Sequence, residues 1–280
     1  MEKEERIQIA IRCRDSDGIP KIKEAGRIIN DHGGRTFQLM HNGVKVFTDS
    51  HYGEFNVRII EQLKGVHEPQ EEKVFYEVLK AIPEHATMLE LGSFWAYYSM
   101  WFKSRVPHGR NYLVEPMRDM MEKGVDNFRL NNMQGDFTQA FVGRFTSNKA
   151  PFKDWDGTYY ERFQIHIDGF LDEKQISFLN ILHADIQGAE LDMLKGAEKS
   201  LSGRRIGFIF ISTHSEPLHF NCLELLKSHG YRIIAEHTLA ESFSTDGLIV
   251  AVNPDISFPR IKVSKRFSME SIKIRISNFL

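Results

Sequence analysis

The stretch MLELGSFWAYYS, residues 88–99, decides the fold. It predicts a buried strand, a sharp turn at Gly92 and the start of a helix, with the acidic Glu90 two positions before the glycine. Ligands of open α/β sheets bind just outside the carboxyl ends of the strands, near the point where strand order reverses. A first strand that ends in acid-x-Gly is one way to build such a site, with Glu90 facing the crevice.

Outward from this stretch, helical patterns alternate with apolar runs. The runs predict further strands at 111–116, 135–143, 163–171, 178–185, 206–212, 231–237 and 247–253. Apolar runs without alternation are typical of a sheet that helices cover on both faces. We therefore expect an α/β domain over residues 66–260, with an irregular loop at 144–161, a single amphipathic helix near 189–201, and a tail at 261–280.

The pattern of apolar residues in residues 1–65 differs from that in the rest of the chain. It predicts a small α+β extension that contains a helix and a β-hairpin. The apolar spacing predicts a short strand at 7–13 and a helix at 20–30. Asn42-Gly43 lies between two apolar runs and is a strong two-residue hairpin signal. We interpret this extension as an accessory layer on the main sheet.

The composition is that of an ordinary soluble protein. The chain has 280 residues, 36 Lys and Arg, 38 Asp and Glu, and a net charge of −2, so no global field favours nucleic acid or an anionic membrane. Cys13 and Cys222 form neither a disulfide framework nor a metal-ligand pattern. The first residues lack the apolar run of a signal peptide. We expect a cytoplasmic protein with neither a nucleic-acid nor a membrane partner.

Five predicted strands end in polar residues: Glu90, Glu115, Asp136, Asp185 and His214. Because the carboxyl ends of parallel strands gather at one edge of a sheet, these endings suggest a binding site. Glu115 lies at the end of the strand after Glu90, where a nucleotide-binding α/β fold places an acid that accepts hydrogen bonds from ribose hydroxyls.

The first turn argues against a dinucleotide. It lacks the G-x-G-x-x-G pattern that cradles a pyrophosphate, and Phe94 and Trp95 occupy the space that the phosphates need. This disfavours a nicotinamide-dependent oxidoreductase and favours a nucleoside without phosphates. S-adenosylmethionine is such a ligand, and its sulfonium charge suits carboxylates and aromatic faces.

The segment FLNILHADIQGAELDMLKGAEKSL, residues 178–201, resembles the signature of the FkbM-type methyltransferase family. The positions that match the family pattern are Asp185, Ile186, Gln187, Gly188, Glu190, Leu194 and Gly196. LELGSFWAYYS resembles the first motif of the same family and YLVEP the second. The order and spacing of the motifs agree from about residue 66 to residue 253.

The resemblance implies a class I S-adenosylmethionine-dependent O-methyltransferase with a Rossmann-like, mostly parallel seven-stranded sheet whose last strand is antiparallel. Family members commonly methylate hydroxyls of sugars, glycans or natural products. The chain departs from the family at two positions: Phe94 replaces an Asn and Ala96 replaces a glycine. These departures leave open a methyltransferase-like module that binds without catalysis.

The combined argument predicts the site residues. For cofactor binding we expect Glu90, Gly92, Ser93, Phe94, Tyr97, Ser99, Glu115, Pro116, Asp136, Phe137, Asp185 and Gln187. For catalysis we expect Asp185, with His214 as the general base that removes the hydroxyl proton. For the acceptor we expect Trp155, Tyr159, Glu190 and His214. His183 and Asp185 lie two apart on a strand and therefore share a face, which would suit a divalent metal, although nothing else in the sequence supports one.

Overall fold

A computed structural model describes residues 2–31, 33–153 and 157–266. The helices in these ranges are α1 Lys3–Ala10, α2 Glu54–Gln62, α3 Pro69–Leu79, α4 Tyr97–Arg105, α5 Arg118–Leu130, α6 Ile167–Glu173, α7 Glu190–Lys195, α8 Glu198–Ser202 and α9 Glu216–Ser228. Short 3₁₀ turns cover Asp15–Gly18, Thr48–Ser50 and Leu239–Glu241. No helix in the described ranges is long and apolar enough to cross a membrane.

The strands form three sheets. They are β1 Ile28–Asn30, β2 Thr36–Leu39, β3 Lys45–Phe47, β4 Thr87–Leu91, β5 Arg110–Val114, β6 Asp136–Thr138, β7 Phe141–Val142, β8 Ser147–Lys153, β9 Tyr159–Ile165, β10 Leu179–Ala184, β11 Ile206–Thr213, β12 Arg232–His237 and β13 Gly247–Val252. The central sheet has seven strands in the order β12-β13-β11-β10-β4-β5-β6.

The topology of the central sheet confirms the expected fold class. Strands β4, β5, β6, β10 and β11 pair in parallel, whereas β13 runs antiparallel to both of its neighbours. Strand order reverses between β4 and β10, so the crevice of an open α/β sheet lies beyond Leu91 and Ala184.

Both faces of this sheet are buried. On one face, Met88 of β4 packs in a core with Phe75 of α3 and Trp101 of α4. On the other, Leu89 packs in a core that includes Leu194 of α7. Because side chains alternate along a strand, every second residue of β4 faces each helical layer. The unbroken apolar runs in the sequence follow from this double burial.

The expected strand at 7–13 is wrong, because residues 3–10 form helix α1. Ile7 and Ala10 are three positions apart and pack on Phe55 and Ile59 of α2. Three-residue spacing places two side chains on one helix face, so contacts with α2 override the strand preference of the isoleucine-rich segment.

The expected helix at 20–30 is also wrong, since this segment forms turns followed by β1. Gly26 adopts a left-handed φ of +87° and donates its N–H to the carbonyl of Leu39 at 2.7 Å, so it turns the chain toward β2 instead of continuing a helix. Strands β2 and β3 pair antiparallel on either side of Asn42-Gly43, and β1 extends this small sheet.

Three further elements differ from the sequence prediction. The strand expected at 163–171 ends at Ile165, and α6 begins at Ile167. The expected loop at 144–161 contains most of the hairpin of β8 and β9, and the ring of Phe152 in β8 packs 5.3 Å from that of Phe141. The expected single helix near 189–201 is divided into α7 and α8. The Asp168 carboxylate accepts hydrogen bonds from the N–H groups of Lys199 and Ser200, and thereby caps the start of the second helix.

Candidate active site

Two cavities open at the carboxyl edge of the central sheet. The larger has a volume of about 730 Å³ and the smaller about 340 Å³. The larger lies over the ends of β4 and β5 and beneath β7 and β8, whereas the smaller lies between helices α1 and α2 and residues 243–246. Tyr52, Asp185 and Gln187 line both, so the cavities adjoin one another beside Asp185.

Gly92 allows the backbone to form the floor of the larger cavity. Its φ is +70°, and its N–H bonds to the Val114 carbonyl at 2.9 Å. A Cβ at this position would lie 1.9 Å from the Asp185 carbonyl oxygen. Only glycine fits between these two strand ends, and its missing side chain leaves the cavity open to a ligand.

Glu115 lines the larger cavity at the end of β5. Its carboxylate accepts hydrogen bonds from the N–H of Phe94 at 3.1 Å and from the N–H of Met117 at 3.0 Å. It therefore fixes the turn after β4 to the start of α5. A carboxylate has about four lone-pair sites, so it can accept further hydrogen bonds from ligand hydroxyls while it makes these contacts. Gly92, Phe94 and Pro116 line the cavity around it.

The junction of the cavities contains a half-buried charge cluster centred on His214. Its Nδ1 lies 2.8 Å from Glu190 Oε1, and its Nε2 lies 3.1 Å from Asp185 Oδ1. Burial lowers the pKa of His214, but the adjacent Asp185 and Glu190 outweigh burial and raise it to about 11. The imidazole is thus protonated at neutral pH, which argues against its expected role as a general base.

Asp246 is the third acid near this imidazolium, at 3.6 Å from Nε2. It lies just before β13, and it lines the smaller cavity. Burial and the charge of Asp185 raise its pKa to about 7. The same imidazolium helps to lower the pKa of Asp185 despite burial. Two neighbouring carboxylates with divergent pKa values are a common basis for proton transfer.

A buried network supports the site from the start of α3. Glu72 accepts hydrogen bonds from Nδ1 of His67 at 2.9 Å and from the Tyr97 hydroxyl at 3.2 Å, and its Oε2 lies 3.4 Å from Nε2 of His41. Burial would raise the pKa of Glu72, but the two histidines lower it to about 2. Burial opposes a charge on His67, yet Glu68 and Glu72 raise its pKa to about 10.

Several residues around the first turn that were expected to bind the cofactor are buried and do not line either cavity. Glu90 shares the α4-covered face of β4 with Met88, and its carboxylate accepts a hydrogen bond from the Ser99 N–H at 3.1 Å. It is buried and does not line either cavity. Ser93, Tyr97 and Ser99 are likewise buried outside the cavity walls. Strand alternation is the physical reason, because it turns Glu90 beneath the helix.

Asp136 and Phe137 are also absent from the cavity walls. Strand β6 begins at Asp136, so this residue lies at the amino end of the strand, where it pairs with Lys174 at 2.9 Å. Phe137 packs on Phe128. The chain beyond the carboxyl end of β6 lines the larger cavity instead, with Ala140, Phe141 and Val142.

The expected acceptor residues are not brought together in the described ranges. Tyr159 is 70% exposed and lines neither cavity. Glu190 is fully buried beneath His214, and its carboxylate also accepts a hydrogen bond from the Gly188 N–H. Trp155 lies outside the described residues.

His183 and Asp185, the pair suggested for a metal, each contact a different side chain. Nε2 of His183 lies 2.8 Å from Glu71, whose other oxygen accepts a hydrogen bond from Ser212, whereas Asp185 pairs with His214. Within residues 2–31, 33–153 and 157–266, no group of three or more His, Cys, Asp or Glu side chains is arranged to hold a metal ion.

Sequence reasoning missed the contribution of the N-terminal region. Tyr52 lines both cavities, His51 lines the larger, and Arg6 and Asn56 line the smaller. Both ring nitrogens of His51 are buried without a hydrogen-bond partner, and burial lowers its pKa to about 3. Local patterns carry no signal for these positions, because only the packing of α1 and α2 brings them to the sheet edge.

A family model matches the part of the chain that forms most of the central sheet. The model of the family described as "Methyltransferase FkbM domain" matches residues 77–233, which is more than half of the chain. The chain belongs to the FkbM methyltransferase family. The resemblance of residues 88–99, 112–116 and 178–201 to the motifs of that family is therefore confirmed.

Solved structures with a similar chain course are remote in sequence. A precorrin-6y C5,15-methyltransferase from Geobacter metallireducens is 14% identical, with a TM-score of 0.42 over 64% of this chain and 87% of that one. TrmK from M. capricolum, bound to S-adenosylhomocysteine, is 15% identical, with a TM-score of 0.41 over 71% and 73%. The N-terminal domain of human METTL16 is 12% identical, with a TM-score of 0.44 over 67% and 71%. No curated protein matches the chain.

Proposed function

We propose that the protein transfers a methyl group from S-adenosylmethionine to a hydroxyl of a sugar, glycan or natural product. The observation that carries this proposal is the position of Asp185, which lines both cavities. In this arrangement the larger cavity takes the adenosine part of the cofactor and the smaller takes the acceptor. Transfer then occurs beside Asp185, where the two cavities adjoin.

The residues of the larger cavity fit a nucleoside. Glu115 would accept the ribose hydroxyls, and Gly92 would let the ribose approach the backbone. Phe141 and Phe152 offer apolar faces for the adenine, and the unpartnered nitrogens of His51 offer polar contacts in the same cavity. When bound, the cofactor supplies a methyl group that its sulfonium charge makes electrophilic.

The residues at the junction would orient the acceptor and remove its proton. Methyl transfer needs the acceptor oxygen in line behind the methyl group, with water excluded. Asp246, whose pKa is about 7, would accept the hydroxyl proton as the new C–O bond forms. His214 would remain protonated and act as a positioning residue that holds Asp185 and Asp246 through its charge.

The alternative of a non-catalytic module rests on Phe94 and Ala96. Both residues adopt left-handed backbone conformations, with φ of +39° and +62°. The turn therefore keeps a glycine-like conformation at Ala96, where the family pattern has a glycine. This retained shape supports cofactor binding and favours the enzyme over the binding module.

Incubation of the purified protein with methyl-labelled S-adenosylmethionine and a panel of sugars, glycans and hydroxylated natural products tests the proposal. We expect labelled methyl ether and stoichiometric S-adenosylhomocysteine. Asp246→Asn should lower kcat by about 10²-fold or more and leave S-adenosylhomocysteine binding intact. The exposed Asp255→Asn is the matched control. Failure to bind S-adenosylmethionine, S-adenosylhomocysteine or NAD favours the binding module, and binding of NAD alone contradicts the proposal.

A further inference from the structure

We propose that the acceptor carries a carboxylate close to the hydroxyl that is methylated, and that Arg6 of the N-terminal extension binds this carboxylate. The inference rests on the proposed function and names the substrate class of the same site. It assigns residues 1–65 a direct role in acceptor selection. The supporting features are the cation itself, the acids that line the same cavity and an unpartnered amide oxygen in its wall.

Arg6 is half-buried on α1 and lines the smaller cavity. Its guanidinium stacks over the ring of Phe55 at 4.5 Å and donates a hydrogen bond to the Thr245 hydroxyl at 3.3 Å. No acid of the described ranges lies within ion-pair distance of it. Arg58 differs, because it pairs with Glu4 at 2.9 Å outside the cavity.

The second cationic wall residue of the smaller cavity is already neutralised. His67 lies 3.1 Å from Glu68 and 2.9 Å from Glu72. Arg6 is therefore the cation of this wall that has donors left for a ligand. Because a guanidinium presents a planar fork of N–H groups, a carboxylate is the anion that matches it in a two-point contact.

The same cavity is also lined by acids. Glu68, Asp185 and Asp246 line it and offer acceptors for hydroxyl groups. Thr245 connects Arg6 to one of these acids, since its hydroxyl accepts a hydrogen bond from Arg6 and donates one to Asp246 at 3.2 Å. One hydroxyl group thus separates the cation from the proposed proton acceptor. An anionic group and a reactive hydroxyl that lie only a few bonds apart would match this spacing.

Asn56 provides an independent sign of a ligand. It is 7% exposed, lines the smaller cavity and has a buried side-chain oxygen without a hydrogen-bond partner. A buried acceptor of this kind is costly unless a donor satisfies it. A second hydroxyl of the acceptor would do so. The cavity thus has a cation for one carboxylate and several acceptors for hydroxyls, which is the complement of a uronic acid or a similar hydroxycarboxylate.

Binding to the protein saturated with S-adenosylhomocysteine tests this proposal without knowledge of the natural acceptor. The probes are D-glucuronate and D-galacturonate, each compared with its neutral counterpart, D-glucose or D-galactose, by calorimetry or saturation-transfer NMR. The parent should bind the uronates about tenfold or more tightly than the neutral sugars. Arg6→Met keeps the alkyl packing on Phe55 and should abolish the difference. Arg6→Lys should retain part of it, and Arg58→Met should leave it unchanged.

Equal affinities for charged and neutral sugars in the parent would overturn the proposal, as would a preference that survives in Arg6→Met. Failure of all four sugars to bind the S-adenosylhomocysteine complex would overturn it as well, while the proposed cofactor site would stand. Failure of S-adenosylhomocysteine itself to bind would instead defeat the proposed function. Thermal melting of each variant verifies that the fold is retained.

Discussion

Replacement of Gly92 by alanine should affect stability and cofactor binding together. The new Cβ would lie 1.9 Å from the Asp185 carbonyl oxygen, so the ends of β4 and β10 must move apart. A side chain at the left-handed φ of +70° costs about 1 kcal/mol, and overpacking of a tight contact costs about 1–3 kcal/mol more. We expect Gly92→Ala to lower the free energy of unfolding by about 2–4 kcal/mol.

Gly230→Ala is the matched control for this substitution. Gly230 has a similar φ of +80°, but a Cβ there would meet nothing within 4 Å. Gly230→Ala should lower the free energy of unfolding by about 1 kcal/mol, from backbone strain alone. Urea unfolding measures the stabilities, and calorimetric titration measures the affinity for S-adenosylhomocysteine, which only Gly92→Ala should weaken, by about tenfold or more. Equal stabilities of the two variants, with parental affinity in Gly92→Ala, would refute the reasoning.

Three further substitutions test the supporting structure. Glu72→Gln removes the buried carboxylate that pairs with His67 and should lower the free energy of unfolding in urea by about 3–5 kcal/mol. The more exposed Glu77→Gln should cost less than about 0.5 kcal/mol, and similar losses in the two variants would contradict the buried network. Gly124 lies in helix α5, where alanine normally stabilises relative to glycine. Gly124→Ala should nevertheless lower the melting temperature, because the new Cβ would lie 2.6 Å from the Phe94 carbonyl oxygen. A higher melting temperature would show that the structure relieves this contact without cost. The raised pKa of His214 contributes stability that is complete below pH 6.5 and is lost as the pH rises through about 11. His214→Gln should therefore show a smaller loss of unfolding free energy between pH 6 and pH 10 than the parent, and an unchanged loss would remove His214 as the cause.

The central sheet could be predicted because its strands are long apolar runs between clear helical patterns. The turn at Gly92 and the site position of Asp185 followed from the general rule for strand ends. The same rule wrongly placed Glu90 in the crevice. The alternation of side chains along β4 indicates its true position, because Glu90 shares a face with the buried Met88. Asp136 was misplaced because the start of β6 could not be located within the apolar run at 135–143.

The smaller cavity could not be predicted, because its walls come from distant parts of the chain. Arg6 and Asp246 are 240 positions apart, yet a single hydroxyl group, that of Thr245, bridges them. Local propensity also misled at α1, where packing on α2 determines the helix. The charge state of His214 likewise depends on Glu190 and Asp185 together, and this became visible only when the distances were known.

The central claim is that the larger cavity binds the adenosine part of the cofactor through Glu115. Calorimetric titration with S-adenosylhomocysteine tests it most directly, in the parent, in Glu115→Ala and in the exposed control Glu122→Ala of the same neighbourhood. We predict micromolar binding by the parent and the control. Glu115→Ala loses a charged hydrogen-bond acceptor, so its affinity for S-adenosylhomocysteine should be about 10- to 100-fold lower than that of the parent. Parental affinity in Glu115→Ala, with its fold intact, would contradict the account.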